Sequence, residues 1–463
     1  MSYHDFVAGK MKRAASVGFD PGEMHPRHFP HQVDLIRWAV RKGRAAIFAD
    51  TGLGKTGMQL EWARQVHHHT GRPVLILAPL AVTAQTAAEG DRLGIPVNVS
   101  RDGVLTDGIT AINYDRLHLV TEIDRLGGVV LDESSIIKAY DGAMRTRIIE
   151  AFEPTPYRLA CTATPAPNDW TELGNHAEFL GVCTRLEMLA TYFCHDGGET
   201  SVWRLKGHAK ADFWAWVASW GAVVRRPSDL GHPDEGYALP ALRWHDHRVD
   251  VTNAMAQSAG MLFQTATTQL HEQRQLRRAT MDDRVAKVAK MVNGSSDPWL
   301  VWCELNDESD ALADAIRDAV TVEGSDSPED KAERMLGFAE GRYRVLISKP
   351  KIAGFGMNFQ RCASMALVGA SHSYESTYQA VRRCWRFGQT RPVDVHVVSS
   401  SADGAIVANY RRKEQDAMTM QAAMVDAMRD AMRREIQGSR RDSIAYDGTQ
   451  QITIPQWLTT EPE

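Results

Sequence analysis

The chain is predicted to be an α/β protein of two lobes, each a parallel sheet between helices. The first lobe carries a helical extension, and a C-terminal helix follows the second. Three observations predict this. The 463 residues are too many for one ordinary core and suit two lobes with appendages. Short apolar runs ending at turn or charged residues alternate with helical stretches, the pattern of buried parallel strands with helical crossovers. Finally, one glycine-rich segment near the start and one arginine-rich segment near the end have complementary chemistry.

In chain order, Ala45-Ala46-Ile47-Phe48 runs into Ala49-Asp50-Thr51-Gly52-Leu53-Gly54-Lys55-Thr56, Val74-Leu75-Ile76-Leu77 ends at Ala78-Pro79, and Val129-Val130-Leu131 ends at Asp132-Glu133. The stretch from Asn168 to about Trp220 reads as mainly helical. Its Trp170, Trp203, Trp214, Trp216 and Trp220 either stack on bases or form a helical core, and the core is favoured. Gly231-His232-Pro233-Asp234-Glu235-Gly236 is the best linker between lobes. Trp299-Leu300-Val301-Trp302, Val345-Leu346-Ile347 and Met365-Ala366-Leu367-Val368 are the strands of the second lobe, with a turn at Ser295-Ser296-Asp297-Pro298 before the first. Val393, Val395 and Val397 alternate with polar residues after Pro392 and predict a half-exposed strand. Residues 405–436 lack Gly and Pro and predict a long helix, in which Met418, Met420, Met424, Met428 and Met432 are packing residues. The polar tail from Gly438 reads as loose, with Ile452, Ile454 and Trp457 able to dock. The predicted boundaries are an N-terminal segment 1–24, a first lobe 25–235 with its extension at 168–220, a second lobe 236–402, the helix 403–437 and a tail 438–463.

Composition narrows the class. With 43% hydrophobic and 24% charged residues the chain reads as soluble and globular. A net charge of −5 and a pI near 6.4 argue against a broadly basic coat for nucleic acid, though not against a local basic groove. The six cysteines lie singly, as suits a reducing cytosol. Cys183 with Cys194-His195 is the nearest thing to a metal cluster, and buried thiols are the favoured reading. No apolar run spans a bilayer and the start lacks a signal-peptide core, so a cytoplasmic protein without membrane contact is expected.

The glycine-rich segment is a phosphate-binding loop. Gly52 and Gly54 let the backbone turn tightly enough to aim N–H groups at phosphates where a helix begins. Lys55 reaches the β- and γ-phosphates, and the Thr56 hydroxyl can ligate Mg²⁺. Ala49 stands where the general pattern has Gly. Asp132, at the end of an apolar strand, is assigned to the metal, and Glu133 to the attacking water. Arg383 and Arg386 are three apart, so a helix would put them on one face, where guanidinium groups at a γ-phosphate stabilise developing charge. A solvated basic helix with Arg382 and Arg391 on DNA phosphate is compatible, and Arg382 is expected to be the odd one out. Two lobes sharing one ATP allow hydrolysis to drive relative motion, the layout of a nucleic-acid motor.

Together these segments resemble superfamily 2 helicases, and among them the Swi/Snf-type ATP-dependent DNA translocases. Further motifs carry the resemblance: Phe29-Pro30-His31-Gln32, Ile112-Asn113-Tyr114-Asp115-Arg116-Leu117, Thr162-Ala163-Thr164-Pro165, Arg225-Arg226-Pro227-Ser228 and Gly354-Phe355-Gly356-Met357-Asn358-Phe359. It covers roughly residues 25 to 410. It implies two RecA-like lobes clamping ATP and Mg²⁺. Gln32 would recognise adenine, Gly356 would add to the nucleotide site, and Thr162, Thr164, Gly354 and Asn358 would relay ATP state to the strand. Duplex DNA is the implied track, and a protein partner supplying specificity is left open. The segment from His208 to Gly231 is also similar to helicases of phages and prophages. Three departures stand out. Asp132-Glu133 is followed by Ser134-Ser135 where the family has Ala-His or similar. Lys349 and Lys351 flank Pro350 before the second-lobe glycine motif, where they either contact phosphate or sit in a solvated turn, with contact slightly favoured. The long insertions of chromatin remodellers are missing, which suggests a stripped motor. An RNA-directed helicase of the same superfamily and an ATP-dependent clamp without turnover are the alternative readings.

Overall fold

The computed structural model describes residues 14–138, 142–167, 169–196, 199–250, 278–353, 357–369, 374–400 and 403–437. Two sheets dominate it. The first has the strand order β3-β4-β2-β5-β6-β1-β9. Its strands are β1 (Arg44–Ala49), β2 (Val74–Ala78), β3 (Val97–Val99), β4 (Ile109–Asn113), β5 (Gly128–Asp132), β6 (Tyr157–Cys161) and β9 (Gly221–Val224). Every pairing in it is parallel. β1, β2 and β5 are the three apolar runs read from the sequence. They are buried almost end to end because helices cover both faces of a parallel sheet.

Those helices are α1 (Pro30–Lys42), α2 (Lys55–Thr70), α3 (Leu80–Leu93) and α4 (Ala143–Phe152). Pro30 opens α1 at a position where its missing N–H costs nothing. α5 (Leu173–Phe179), α6 (Arg185–Tyr192) and α7 (Lys210–Ala218) follow. Thr184 caps α6, its Oγ1 accepting from the Glu187 N–H at 3.2 Å while the Glu187 carboxylate takes the Thr184 N–H at 2.8 Å.

The extension is mainly helical but not wholly so. An antiparallel hairpin, β7 (Phe193–Asp196) with β8 (Glu199–Leu205), interrupts it. The apolar-polar alternation on both sides of Gly197-Gly198 is a hairpin signal, and the density of tryptophans obscured it. Those aromatics are core: Trp214, Trp216 and Trp220 are buried, and Trp170 meets Trp214 edge-on at 5.1 Å. Trp203 instead lies on β8, half-buried, against His195 at 3.9 Å. Among the described residues no set of three His, Cys, Asp or Glu side chains could hold a metal, so Cys183, Cys194 and His195 are not a metal cluster.

The second sheet has the order β10-β15-β14-β11-β13-β12, with β10 (Leu242–Val249), β11 (Trp299–Trp302), β12 (Ala319–Val322), β13 (Val345–Ser348), β14 (Ser364–Val368) and β15 (Val393–Ser400). It too is parallel throughout. Val393, Val395 and Val397 are buried, because β10 pairs along the whole of β15 and takes the edge. The half-exposed strand is β10, whose residues are all intermediate or exposed. Helices α8 (Met281–Asn293), α9 (Asn306–Ala315), α10 (Pro328–Glu340), α11 (Pro350–Ala353) and α12 (Tyr374–Val381) accompany this sheet. Residues 231–236 lie between β9 and β10.

The long helix α13 (Gly404–Gln437) leaves the second sheet and returns to the first. Met424, Val425 and Met428 join the core on one face of the first sheet, and Met432 and Ile436 the core on the other. α13 therefore crosses the edge strand β9, protecting an edge that would otherwise be open to pairing. Met418 is exposed rather than packed, and the Met420 side chain lies outside the described set, as do residues 438–463. No helix among the described residues is long and apolar enough to cross a membrane.

Candidate nucleotide site between the two sheets

The phosphate-binding loop joins β1 to α2. Gly52 and Gly54 have φ of 92° and 81°, a region where a side chain is strained. A Cβ on Gly52 would also stand 3.0 Å from the Phe387 backbone nitrogen, and one on Gly54 would collide with the Gln32 amide. Lys55 heads α2 and folds back, its Nζ donating to the carbonyls of Ala49 at 2.8 Å and Asp50 at 3.4 Å. Thr56 follows it, half-buried. Gln32 bridges α1 to the loop: its Oε1 accepts from the Phe29 N–H at 3.0 Å and its Nε2 donates to the Leu53 carbonyl at 2.9 Å.

Asp132 ends β5 beside the loop. Its Oδ1 accepts from Gln59 Nε2 at 2.7 Å and from the Glu133 N–H at 3.1 Å, and Tyr114 Oη donates to its backbone carbonyl at 2.7 Å. Burial, then the neighbouring Glu133 charge, push the Asp132 carboxyl up to about 6, with Gln59 and Lys55 opposing. A carboxylate in that condition lacks cationic compensation. Glu133 sits at φ 53°, strained for a residue with a side chain. Thr162 Oγ1 donates to its Oε2 at 3.3 Å and accepts from the Thr164 N–H at 3.1 Å. Thr162 thus links Glu133 to Thr164, and the Thr164 hydroxyl is buried without a partner.

Ser134, at the departure from the family pattern, bonds His176 Nε2 at 3.1 Å. The His176 ring meets Phe48 of β1 edge-on at 5.1 Å. His176 thus touches both the strand that leads to the phosphate loop and the residue after Glu133. Complete burial pushes its pKa down to about 4, so it is neutral at pH 7.

Across the cleft, α12 stops at Val381, and Arg383 and Arg386 ride on turns rather than on a helix. Gln389 holds these turns, its Nε2 donating to the carbonyls of Gln360, Cys362 and Cys384. Arg383 Nη1 donates to the Met357 carbonyl at 3.3 Å. The Nε atoms of Arg383 and Arg386 are buried without hydrogen-bond partners. Burial, with Arg386 next, lowers the Arg383 pKa to about 10, while Glu133 and Asp132 pull the other way. Burial and then Arg382 lower that of Arg386. Two guanidinium groups crowded in this way, over a glycine loop and two carboxylates, fit a polyphosphate with a divalent cation. Arg382 differs from both: it is buried and ion-paired with Asp50 of the phosphate loop, so it does not face solvent or DNA.

Gly354 and Gly356 lie outside the described residues; Asn358, just after them, is exposed. Lys349 Nζ is bonded to Asn306 Oδ1, and the Lys351 side chain is outside the described set. Gln59, Tyr114, Asp50, Tyr378, Ser134 and His176 were not singled out as site residues. Only Gln59 had a visible signal, four residues after Lys55 and so on the same helix face.

Residues 283–388 match the helicase conserved C-terminal domain. Two curated proteins match part of the chain. The ATP-dependent helicase fft1 of Schizosaccharomyces pombe is 28% identical over 128 residues, covering 27% of this chain and 13% of that protein. The bifunctional helicase and thymine dioxygenase JBP2 of Leishmania braziliensis is 25% identical over 130 residues, covering 26% and 12%. The chain thus aligns with only a small part of either. A solved structure, the Sulfolobus solfataricus SWI2/SNF2 ATPase core in complex with dsDNA, superposes with a TM-score of 0.43 at 17% identity, covering 90% of this chain and 98% of that one. The match places a helicase C-terminal domain in the second sheet, and the glycine loop, the carboxylate pair and the arginine segment gather at one cleft beside it.

Proposed function

We propose that the chain is an ATP-hydrolysing motor acting on nucleic acid, with duplex DNA as its track. The observation that carries this reading is the meeting of the arginine segment with the phosphate loop, where Arg382 pairs with Asp50 and Arg383 lies in the field of Glu133 and Asp132, groups that a nucleotide-binding lobe alone would not bring together. On this reading residues 25–235 are the ATP-binding lobe and 236–402 the second lobe.

Gly52, Gly54 and Lys55 hold the phosphates, and Lys55 exchanges its two carbonyl partners for phosphate oxygen. Gln32 reads adenine, and its bond to the Leu53 carbonyl of the loop supports that role. Thr56 and Asp132 would hold Mg²⁺, which neutralises phosphate charge when bound. Glu133 orients the attacking water, and its bond from Thr162 reports the state of that site towards Thr164. Arg383 and Arg386 stabilise charge on the transferred group, a contribution of roughly 10³–10⁵ in rate in comparable sites. The duplex track rests on the resemblance of the motifs to the Swi/Snf-type translocases.

The test is steady-state ATP hydrolysis without nucleic acid and with duplex DNA, single-stranded DNA or RNA, with Lys55→Ala as control. Stimulation by duplex DNA is expected. Stimulation by RNA alone would move the protein to the RNA-directed helicases, and no turnover under any condition would leave a nucleotide-dependent clamp.

A further inference from the structure

The phosphate loop and the arginine segment are joined by a contact that phosphate chemistry does not require. Asp50 Oδ1 accepts from the Thr51 N–H at 2.6 Å, shaping the first turn of the loop, and from Tyr378 Oη at 2.7 Å. Its Oδ2 takes Arg382 Nη2. The two side chains are well covered, 6% exposed for Arg382 and 15% for Asp50. The Arg382 guanidinium lies between two rings, 4.6 Å from the Trp385 centroid and 5.3 Å from that of Tyr378, and its Nη1 donates to the Trp385 carbonyl at 3.4 Å. Trp385 is itself tied to the segment just before β10, Nε1 donating to the Pro240 carbonyl at 2.7 Å.

We propose that Arg382 and Tyr378 are positioning residues, which hold the arginine segment in register on the phosphate loop through Asp50 and so aim Arg383 and Arg386. The inference rests on the hydrolysis reading above. Its physical basis is local. Arg383 and Arg386 ride on turns beyond the end of α12, where helix-type bonds run on only as far as the Trp385 N–H, which donates to the Val381 carbonyl at 3.0 Å. Those bonds and Gln389 shape the turns, but neither ties them to the phosphate loop; Arg382, directly before Arg383, makes that tie. The anchor also reads the loop itself, because the Asp50 carbonyl is one of the two that Lys55 Nζ engages. When phosphate draws Lys55 away, the backbone that carries the Asp50 carboxylate feels it. Loop state and the aim of the arginines become one quantity.

Arg382→Ala and Asp50→Asn are each expected to lower kcat for ATP about a hundredfold, the effect of an ångström-scale misplacement, while KM changes little. Asparagine keeps the acceptor for the Thr51 N–H and removes only the charge. Because the two act as a unit, the double variant should be no slower than the slower single one. Arg382→Lys should recover part of the rate, since lysine restores charge but not the planar stacking. Additive losses, or a normal kcat in Arg382→Ala, overturn the proposal. X-ray scattering of the same proteins, with and without a non-hydrolysable ATP analogue, gives a readout independent of turnover. The wild type should be more compact than each single variant, and the double variant no more expanded than either. Equal compactness throughout overturns the proposal even if the wild type proves not to hydrolyse ATP, an outcome that would by itself defeat only the hydrolysis reading.

Discussion

His176 should make the first lobe sensitive to acid, by an amount the structure sets. Its side chain is fully buried, it bonds Ser134, and burial lowers its pKa from the ordinary 6.5 to about 4. A histidine depressed in this way stabilises the fold in its neutral form. That stability is fully present above pH 6.5 and is lost as pH falls towards 4, because the unfolded chain takes up a proton that the folded one refuses. The gap between the two values corresponds to about 3 kcal/mol in full, and about 2 kcal/mol of it is already gone at pH 5. His31 and His396 are depressed for the same leading reason, so the wild type alone cannot isolate the effect. The assay is therefore urea unfolding, followed by tryptophan fluorescence, of wild type and His176→Gln at pH 8 and pH 5. Glutamine keeps a polar group near Ser134 and does not titrate. The wild type should lose about 2 kcal/mol more than the variant between the two pH values. Equal losses would refute the assignment of a neutral, proton-refusing His176 at this position.

Three further outcomes are expected. Glu133→Gln should abolish ATP turnover while circular dichroism shows the fold intact, and normal turnover would remove Glu133 from the role of water-orienting base. Met428→Ala, at a fully buried position where α13 enters the first-lobe core, should cost about 2–5 kcal/mol in denaturant titration; a neutral result would mean that α13 does not dock there in solution. Glu308→Ala, which takes the carboxylate from Arg284 where both side chains are fully buried, should destabilise the second lobe by about 3–5 kcal/mol, and an unchanged melting curve would count against that pair.

What the sequence made legible was local. The phosphate loop announces itself through glycine spacing and the lysine-threonine pair, and Asp132-Glu133 through the apolar run that delivers them. Each needs only a dozen neighbouring residues. β10 was missed because the six residues between Leu242 and Val249 are all Arg, Trp, His or Asp, a pattern that shows as a strand only once β15 lies beside it. The Asp50–Arg382 pair was missed for a related reason. An aspartate in a loop and an arginine in a basic segment are each ordinary, and 332 residues separate them. The helical expectation for Arg383 and Arg386 put them on one face by the wrong route, since α12 ends first and the turns held by Gln389 bring them round. The methionines of 405–436 gave the right chemistry without the address, because their spacing says that a face is buried and not against what.

The address of α13 bears on how the two sheets can move. Its later half belongs to the first lobe, where Lys42 pairs with Glu435 at 2.9 Å and Arg433 donates to the carbonyls of Ser228 and Asp229. The second lobe is therefore tethered to the first at both of its ends, through the segment after Leu230 and through α13. A body held at two points turns more readily about the line between them than it slides. Separation of the arginines from the carboxylates must then be a rotation that parts Asp50 from Arg382 and Tyr378 while the buried methionines of α13 stay in place. Met424, Val425, Met428, Met432 and Ile436 are each no more than 4% exposed, and withdrawing them together would cost far more than breaking one ion pair bridged by a tyrosine. The Asp50 contact is thus the weaker link between the lobes, which is the property a contact needs if it is to be made and broken once per ATP.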